Sequence, residues 1–235
     1  MQIGFALKIK IFYGKTNMKN TVIFGNRDIA ELAHYYLTID SPHKPIAFCV
    51  ESAYIKEDKF CNLPVVPFEE VEKIYPPDDF NFYAPIYASD MNRLKDRMTT
   101  AIKEKGYELI SYISSKAHVW NAEIGENAFV LEGSNIQPFC KVGKNLVMWS
   151  HSHIGHHSKV GDNVFISGNV VVAGHNEIGD FCFLGTNSTT KENISVAPYT
   201  FIGQHSSIVK SIKEEGGLWW GCPVQYIKSS FDVKL

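Results

Sequence analysis

The chain has 235 residues, enough for one large or two modest domains, with 25 acidic against 23 basic side chains. A net charge of −2 and an isoelectric point near 6.5 leave no basic face for a nucleic acid. Its five cysteines (Cys49, Cys61, Cys140, Cys182, Cys222) are odd in number and form no C-x-x-C pair, which argues against a disulfide framework and for free thiols in a reducing, cytoplasmic setting.

Residues 1–17 are apolar, but Lys8 and Lys10 interrupt them and no small-residue cleavage site follows, so they read as an extension rather than a signal peptide or anchor. Met18 is an alternative start to Met1. No apolar run reaches the roughly 18 to 20 residues of a membrane span. From residue 18 to about 115, strand and helix signals alternate. TVIFG (Thr21 to Gly25) predicts a strand, Asp28 to Thr38 a helix, and Pro45 to Glu51 a second strand. A short helix is expected from Phe68 to Ile74, a strand over Phe80 to Ser89, a helix from Met91 to Lys105, and a last strand over Tyr107 to Ile113. Alternation of this kind implies an α/β domain, a small parallel Rossmann-like sheet with helices on its faces.

Over residues 116–212 a different period governs. Stepping by six from Ile124 gives Val130, Ile136, Val142, Met148, Ile154, Val160, Ile166, Val172, Ile178, Leu184, Thr190, Val196, Ile202 and Ile208, and only Thr190 is not aliphatic or Met. Glycine follows this position in seven of the fifteen steps, and small residues recur four places after it. One inward aliphatic per six residues makes each flat strand with its corner six residues long, and three such sides close a triangular coil of eighteen. Small residues serve the corners, where positive φ or close packing excludes bulk. About five coils follow, with no inserted loop between Ile124 and Ile208, and residues 213–235 form a tail. The period leaves handedness open; right-handed crossover is the general rule for parallel strands.

An α/β domain followed by hexapeptide coils, with the segment SHIGHHSKVGDNVFISGNVVVAGHNEIGDFCFLGTNS (Ser152 to Ser188) and the ending GLWWGCPVQYI (Gly217 to Ile227), resembles the sialic acid O-acetyltransferase and UDP-N-acetylbacillosamine N-acetyltransferase family. That resemblance implies a left-handed parallel β-helix and a homotrimer that places acyl-CoA and a sugar acceptor between neighbouring subunits. It implies acetyl transfer from acetyl-CoA, with no metal, to an amine or hydroxyl of a nucleotide-linked deoxysugar in bacterial surface polysaccharide synthesis. The family's general base falls on His156, and the backbone N–H that holds the thioester oxyanion falls on Gly174, one eighteen-residue coil further on. Where the family carries Glu or Asp after its base, this chain has His157, in one column with His175; where a second family His meets the acyl donor, it has Phe165. Ala173, Gly174, Thr186 and Gln204 fall at the coenzyme. In the first domain, the family's nucleotide-sugar site falls on Asn26 and Arg27 after strand one and on Glu51 after strand two, although the Gly-rich turn keeps only Gly25, with Ala30 closing it.

Two other readings stand beside this one. His151 and His156 have the five-residue spacing of the carbonic anhydrase type of zinc β-helix, which His175 would complete, but the position of that class's third ligand is Ser115. A non-catalytic trimeric scaffold would need only the coils. His205 stacks in a column with His151, three coils apart; Trp219 and Trp220 read as packing at the end of the β-helix rather than as a sugar platform; Trp149 is expected to point outward toward an acceptor; and Lys210 and Lys213 are open to two readings, contact with coenzyme phosphates or a solvated pair.

Overall fold

The computed structural model describes residues 19–234, so the expectations for residues 1–17 and for Met18 lie outside the described residues. Alternating β and α units build the first domain. Strand β1 (Asn20–Phe24) leads through Gly25 into helix α1 (Asp28–Asp40), and β2 (Lys44–Val50) pairs beside β1 in parallel. An edge hairpin of β3 (Lys59–Phe60) and β4 (Leu63–Pro67) follows, then a one-turn helix α2 (Val71–Ile74), strand β5 (Phe80–Tyr83) and helix α3 (Arg93–Glu104). The sheet order is β3-β4-β2-β1-β5, parallel apart from the β3 edge. Alternate residues of the strands face opposite layers: Ile23, Phe48 and Val65 pack with Ala30, Ala33 and Leu37 of α1, whereas Val22, Ala47 and Val66 pack with Met98 and Ile102 of α3.

The segment Tyr107 to Ile113 is not one strand. Leu109 bridges to Phe82 in the first sheet, and three residues later Tyr112–Ile113 pairs in parallel with Phe129–Val130. The chain therefore changes sheets within the segment, and the coils begin at Tyr112. The preceding strand is also shorter than its sequence suggests, because the Ala84 N–H turns away from the ladder to donate to Asn127 Oδ1 (3.0 Å).

From Tyr112 onward two-residue strands alternate with corners, and three parallel sheets close a triangular β-helix. The first face is formed by Tyr112–Ile113, Phe129–Val130, Val147–Met148, Phe165–Ile166, Phe183–Leu184 and Phe201–Ile202. The second comprises His118–Val119, Asn135–Ile136, His153–Ile154, Val171–Val172, Thr189–Thr190 and Ser207–Ile208. The third holds Glu123–Ile124, Lys141–Val142, Lys159–Val160, Glu177–Ile178 and Ser195–Val196. All fifteen six-step positions are the second, inward residue of a strand, and apart from Thr190 they form one apolar column. Gly217–Gly221 continues the first face beside Phe201–Ile202 and folds back through Val224–Ser229, so the expected tail is a hairpin that caps the coils. Trp219 packs on the column, and Trp220 lies over Gly203, where a side chain would meet its ring at 2.6 Å.

The outward residues give the three faces different fates. Tyr112, Phe129, Val147, Phe165 and Phe183 of the first face are buried against the α/β domain, with Phe165, Phe183 and Phe201 stacked in near-parallel planes 5.1 and 4.4 Å apart. The third face presents Glu123, Lys141, Lys159 and Glu177 to solvent, with a Lys159–Glu177 ion pair. The second face presents His118, Asn135, His153, Val171, Thr189 and Ser207, none of them carboxylate, lysine or arginine.

Two polar clusters stand out among the ties between the domains. Asn127, Asn145 and Asn163, one coil apart, form a buried amide ladder: Asn127 donates to Asn145 Oδ1 (3.0 Å) and Asn145 to Asn163 Oδ1 (2.8 Å). The ladder continues into the first domain through Asn127 to the Ala84 carbonyl, Asn145 to Thr99 Oγ1 and Asn163 to Asp96 Oδ1. At the other end of that domain, the Asp40 carboxylate accepts from the Tyr112 hydroxyl, the Ser114 hydroxyl and the Ser115 N–H, at 2.7, 3.1 and 2.9 Å.

Candidate active site

Each corner turns through a residue in the left-handed region, which Asn and Gly tolerate best and bulky residues resist. Between the second and third faces that residue is Asn121, Phe139, His157, His175 and Asn193 on successive coils, all at φ between 42° and 69°. Three aromatic rings thus stand in a column where asparagine would be least strained. Phe139 is 57 % exposed and tilts against His157 at 4.7 Å; His157 stacks on His175 at 4.9 Å with 14° between planes. Left-handed backbone held by aromatic side chains, three of them in succession and exposed, points to a use for those side chains.

His156, half-buried, precedes this column by one residue. Its Nδ1 lies 3.1 Å from His157 Nδ1, a hydrogen bond in which one ring donates and the other accepts, and its backbone N–H donates to Gln137 Oε1 at 3.0 Å. One coil on, Gly174 lies directly against the imidazole: a Cβ there would come within 3.0 Å of His156 Cε1 and Nε2. Among the described residues, the Gly174 N–H donates to no acceptor. The reason is Gly155, which occupies the place that Gln137 holds one coil earlier. It has no side chain to cap that N–H, and a Cβ on it would sit 2.5 Å from Gly174 N. An imidazole and a free backbone donor therefore meet at one corner. His153, on the second face beside them, is held below the ordinary histidine range by burial and by the charge of His156.

Thr190, the one polar member of the inward column, explains a local break in the ladder. Neighbouring second-face strands pair through both residues, but Val171–Val172 and Thr189–Thr190 pair only at Val171 and Thr189. The Ala173 N–H donates to Thr190 Oγ1 (2.9 Å), and buried Asn176 also donates to that hydroxyl. Asn176 in turn accepts from the Ile194 N–H (2.9 Å) and its own N–H bonds Ser158 Oγ (3.1 Å). An internal polar clasp thus fixes both sides of the corner that carries Gly174. Neither Gly155 nor Thr190 was singled out by sequence as a site residue; the eighteen-residue alignment of Gly155 with Gln137, and the exception at Thr190, were the signals available.

Other expected site residues lie apart. Ala173 adjoins Gly174, but Thr186 and Gln204 are exposed at the corner between the first and second faces, across the second face from His156. Phe165 corrects an expectation: it is 1 % exposed, stacked on Phe183 and edge-on to Tyr87 at 4.9 Å, so its side chain serves the domain interface rather than a coenzyme. Trp149 likewise packs, half-buried, against the interdomain cluster instead of pointing outward. His151 and His205 stand at the corner of Thr186 and Gln204, so His151 does not join His156 and His175 within one chain; the convergent trio is His156, His157 and His175. In the α/β domain, Asn26, Arg27 and Glu51 cluster at the carboxyl ends of β1 and β2, where ligands bind such sheets. Asn26 donates to the Tyr54 carbonyl (3.2 Å), which ties the two loops together. Arg27 is the exposed N-cap of α1, and no side chain caps that helix, although Asp28 and Glu31 in its first turn oppose an anion.

No family model matches the sequence, and no curated protein matches it. Solved structures share the fold. The acetyltransferase domain of PglB from Neisseria gonorrhoeae FA1090 superposes with a TM-score of 0.79 at 18 % identity, covering 89 % of this chain and 100 % of that one. PerB from Caulobacter crescentus, in complex with CoA and GDP-perosamine, has a TM-score of 0.79 at 18 % identity, covering 89 % and 98 %. WeeI from Acinetobacter baumannii AYE has a TM-score of 0.76 at 16 % identity, covering 88 % and 99 %. The architecture shared with them is an α/β domain followed by a left-handed β-helix.

Proposed function

We propose that this chain transfers an acetyl group from acetyl-CoA to an amine or hydroxyl of a nucleotide-linked deoxysugar, with His156 as general base. The observation that carries the reading is the contact of His156 with Gly174, whose N–H is left free by the missing side chain of Gly155. It is supported by the fold shared with acetyltransferases, one of them solved with CoA and GDP-perosamine.

In this mechanism the Nδ1 proton stays on His156 and makes a hydrogen bond to His157 Nδ1, so that Nε2 carries a lone pair at the face of Gly174. As the acceptor's nitrogen or oxygen attacks the thioester carbon, His156 Nε2 takes its proton. The Gly174 N–H donates to the thioester oxygen as negative charge builds there, and the Thr190–Asn176 clasp holds that donor in place. The C–S bond then breaks, and His156 returns the proton to the departing sulfur, which leaves as the free thiol of CoA. His157 serves this step as the hydrogen-bond acceptor that selects the tautomer, in place of a carboxylate.

We further infer a homotrimer. Of the three faces, one is covered by the α/β domain and one is charged, which leaves the uncharged second face for another copy of the chain. Such packing would bring a neighbour's Thr186 and Gln204 toward His156, uniting coenzyme-binding and base residues that one chain keeps apart. Asn26, Arg27 and Glu51 would receive the nucleotide sugar. Five free thiols, with Cys49, Cys140 and Cys182 buried, suit a cytoplasmic setting in surface polysaccharide synthesis. No helix of the described residues is long and apolar enough to cross a membrane.

The test is a screen of nucleotide-linked amino and hydroxy sugars with acetyl-CoA, following thiol release, together with sedimentation of the purified chain. Acceptor-dependent release from a trimer is expected. Absence of both release and calorimetric binding of acetyl-CoA would overturn the proposal.

A further inference from the structure

The His156–His157 pair does not stand alone. His175, one coil above His157, brings a third imidazole, and one ring nitrogen from each of the three lies within 4.8 Å of the others. No carboxylate or lysine belongs to the group: Lys159, the nearest lysine in sequence, is paired with Glu177 on the third face. The His156 and His157 Nδ1 atoms are already 3.1 Å apart, and two nitrogens bound tetrahedrally to one zinc ion at about 2.0–2.1 Å would be about 3.3 Å apart. The His156 and His175 ring centroids are 5.0 Å apart with planes at 87°, so His175 approaches the pair from another side. His157 and His175 are exposed, and their stacked rings would rotate apart at the surface to aim a nitrogen each at one ion. An all-imidazole set of three, open to water at the remaining position, selects zinc, nickel or copper over magnesium or calcium.

We propose that His156, His157 and His175 of a single chain form a divalent transition-metal site, and that metal bound there shuts off the base. The first half of the proposal stands on geometry alone; the second rests on the acyltransferase reading above. Coordination through His156 Nε2 would occupy the lone pair that takes the acceptor's proton. Coordination through Nδ1 would leave the ring's only proton on Nε2, with the same result. A carboxylate after the base would not build this all-imidazole set, so the site is a consequence of having His157 and His175 in one column.

The experiment uses the full chain purified without chelators and measures Zn²⁺ by equilibrium dialysis and calorimetry, in wild type and in His157→Gln, His175→Asn and His151→Asn. His175→Asn installs the residue already found in this column at Asn121 and Asn193, so its corner should fold. One Zn²⁺ per chain is expected, weakened about tenfold or more by His157→Gln and His175→Asn and unchanged by His151→Asn. Equal binding by wild type and both column variants, or no stoichiometric binding by wild type, overturns the site. In the thiol-release assay, Zn²⁺ should suppress turnover in step with occupancy, at higher concentration in His175→Asn. Full turnover at saturating Zn²⁺ overturns the inhibition. Specific Zn²⁺ binding without any acyl transfer would sink the acyltransferase reading and leave the metal site standing.

Discussion

Two corners of the same β-helix turn through the same backbone conformation and do opposite things with it. Between the third and first faces, Asn127, Asn145 and Asn163 sit at φ 55°, 62° and 58°, buried, with amides spent on one another and on the α/β domain. Between the second and third faces, Phe139, His157 and His175 sit at φ 69°, 58° and 57°, exposed, next to an imidazole and a backbone N–H with no partner. In the first corner the side-chain amides of all three asparagines are paired, which holds two domains together. In the second, exposed rings stand beside the Gly174 N–H, which bonds to none of the described residues. The repeat supplies a scaffold indifferent to chemistry: Phe181 and Tyr199 take the same left-handed place after Asn163 and stack on each other, whereas His157 and His175 flank the candidate base.

That contrast can be broken from either side. His156→Ala should lower turnover by about 10²- to 10⁴-fold, the range for a positioned general base, with circular dichroism unchanged. Gly155→Ala should cost about 10²- to 10³-fold in turnover, because its methyl would sit against Gly174 N and cover the free donor; the same assay, with acetyl-CoA binding as a control, checks it. At the opposite corner, Asn145→Ala should remove about 2–3 kcal/mol of stability, read by urea denaturation, and leave turnover per folded molecule unaltered. Thr190→Val, which keeps the shape and removes the hydroxyl, should lower kcat about tenfold with little change in KM, since the Ala173 N–H and Asn176 lose their partner beside Gly174.

The smallest effect concerns the second polar cluster between the domains. Partial burial raises the pKa of Asp40, but the hydrogen bonds from Ser115, the Tyr112 hydroxyl and Ser114 outweigh it and hold the carboxyl at about 2. A depressed carboxyl stabilises the folded state fully above its ordinary value and loses that contribution as pH falls toward the folded value. Stability should therefore drop between about pH 4 and 2 in wild type. Asp40→Asn should be about 1–2 kcal/mol less stable at neutral pH and show a flatter acid limb in the same denaturation series.

How much of this was readable from the sequence follows from what a period can encode. The six-residue step placed all fifteen inward residues, because the coil admits no loop that would shift them. The same step aligned His156 with Gly174. It did not show that Phe165 is buried, because outward residues on all three faces share one period and only the docked domain distinguishes them. Gly155 looked like any corner glycine until the capping of His156 N–H by Gln137 showed what its missing side chain leaves open. In the α/β domain the β3–β4 hairpin escaped notice, since its strands are short and Pro64 and Pro67 argue against a strand. The closing hairpin was hidden by the same logic: Cys222 and Pro223 make its turn, and its outer strand is too exposed to show alternation.

The unbroken coil also behaves like a reading frame. Removing a single residue between His156 and Gly174 would rotate every later position by one, carrying aliphatics to corners and corner residues inward, and would slide Gly174 off the imidazole. Removing eighteen would shorten the column by one turn and return each downstream residue to its own role. A chain built this way can lengthen or shorten only in whole coils, and the two coils that bring His156 and Gly174 together are the ones it cannot lose.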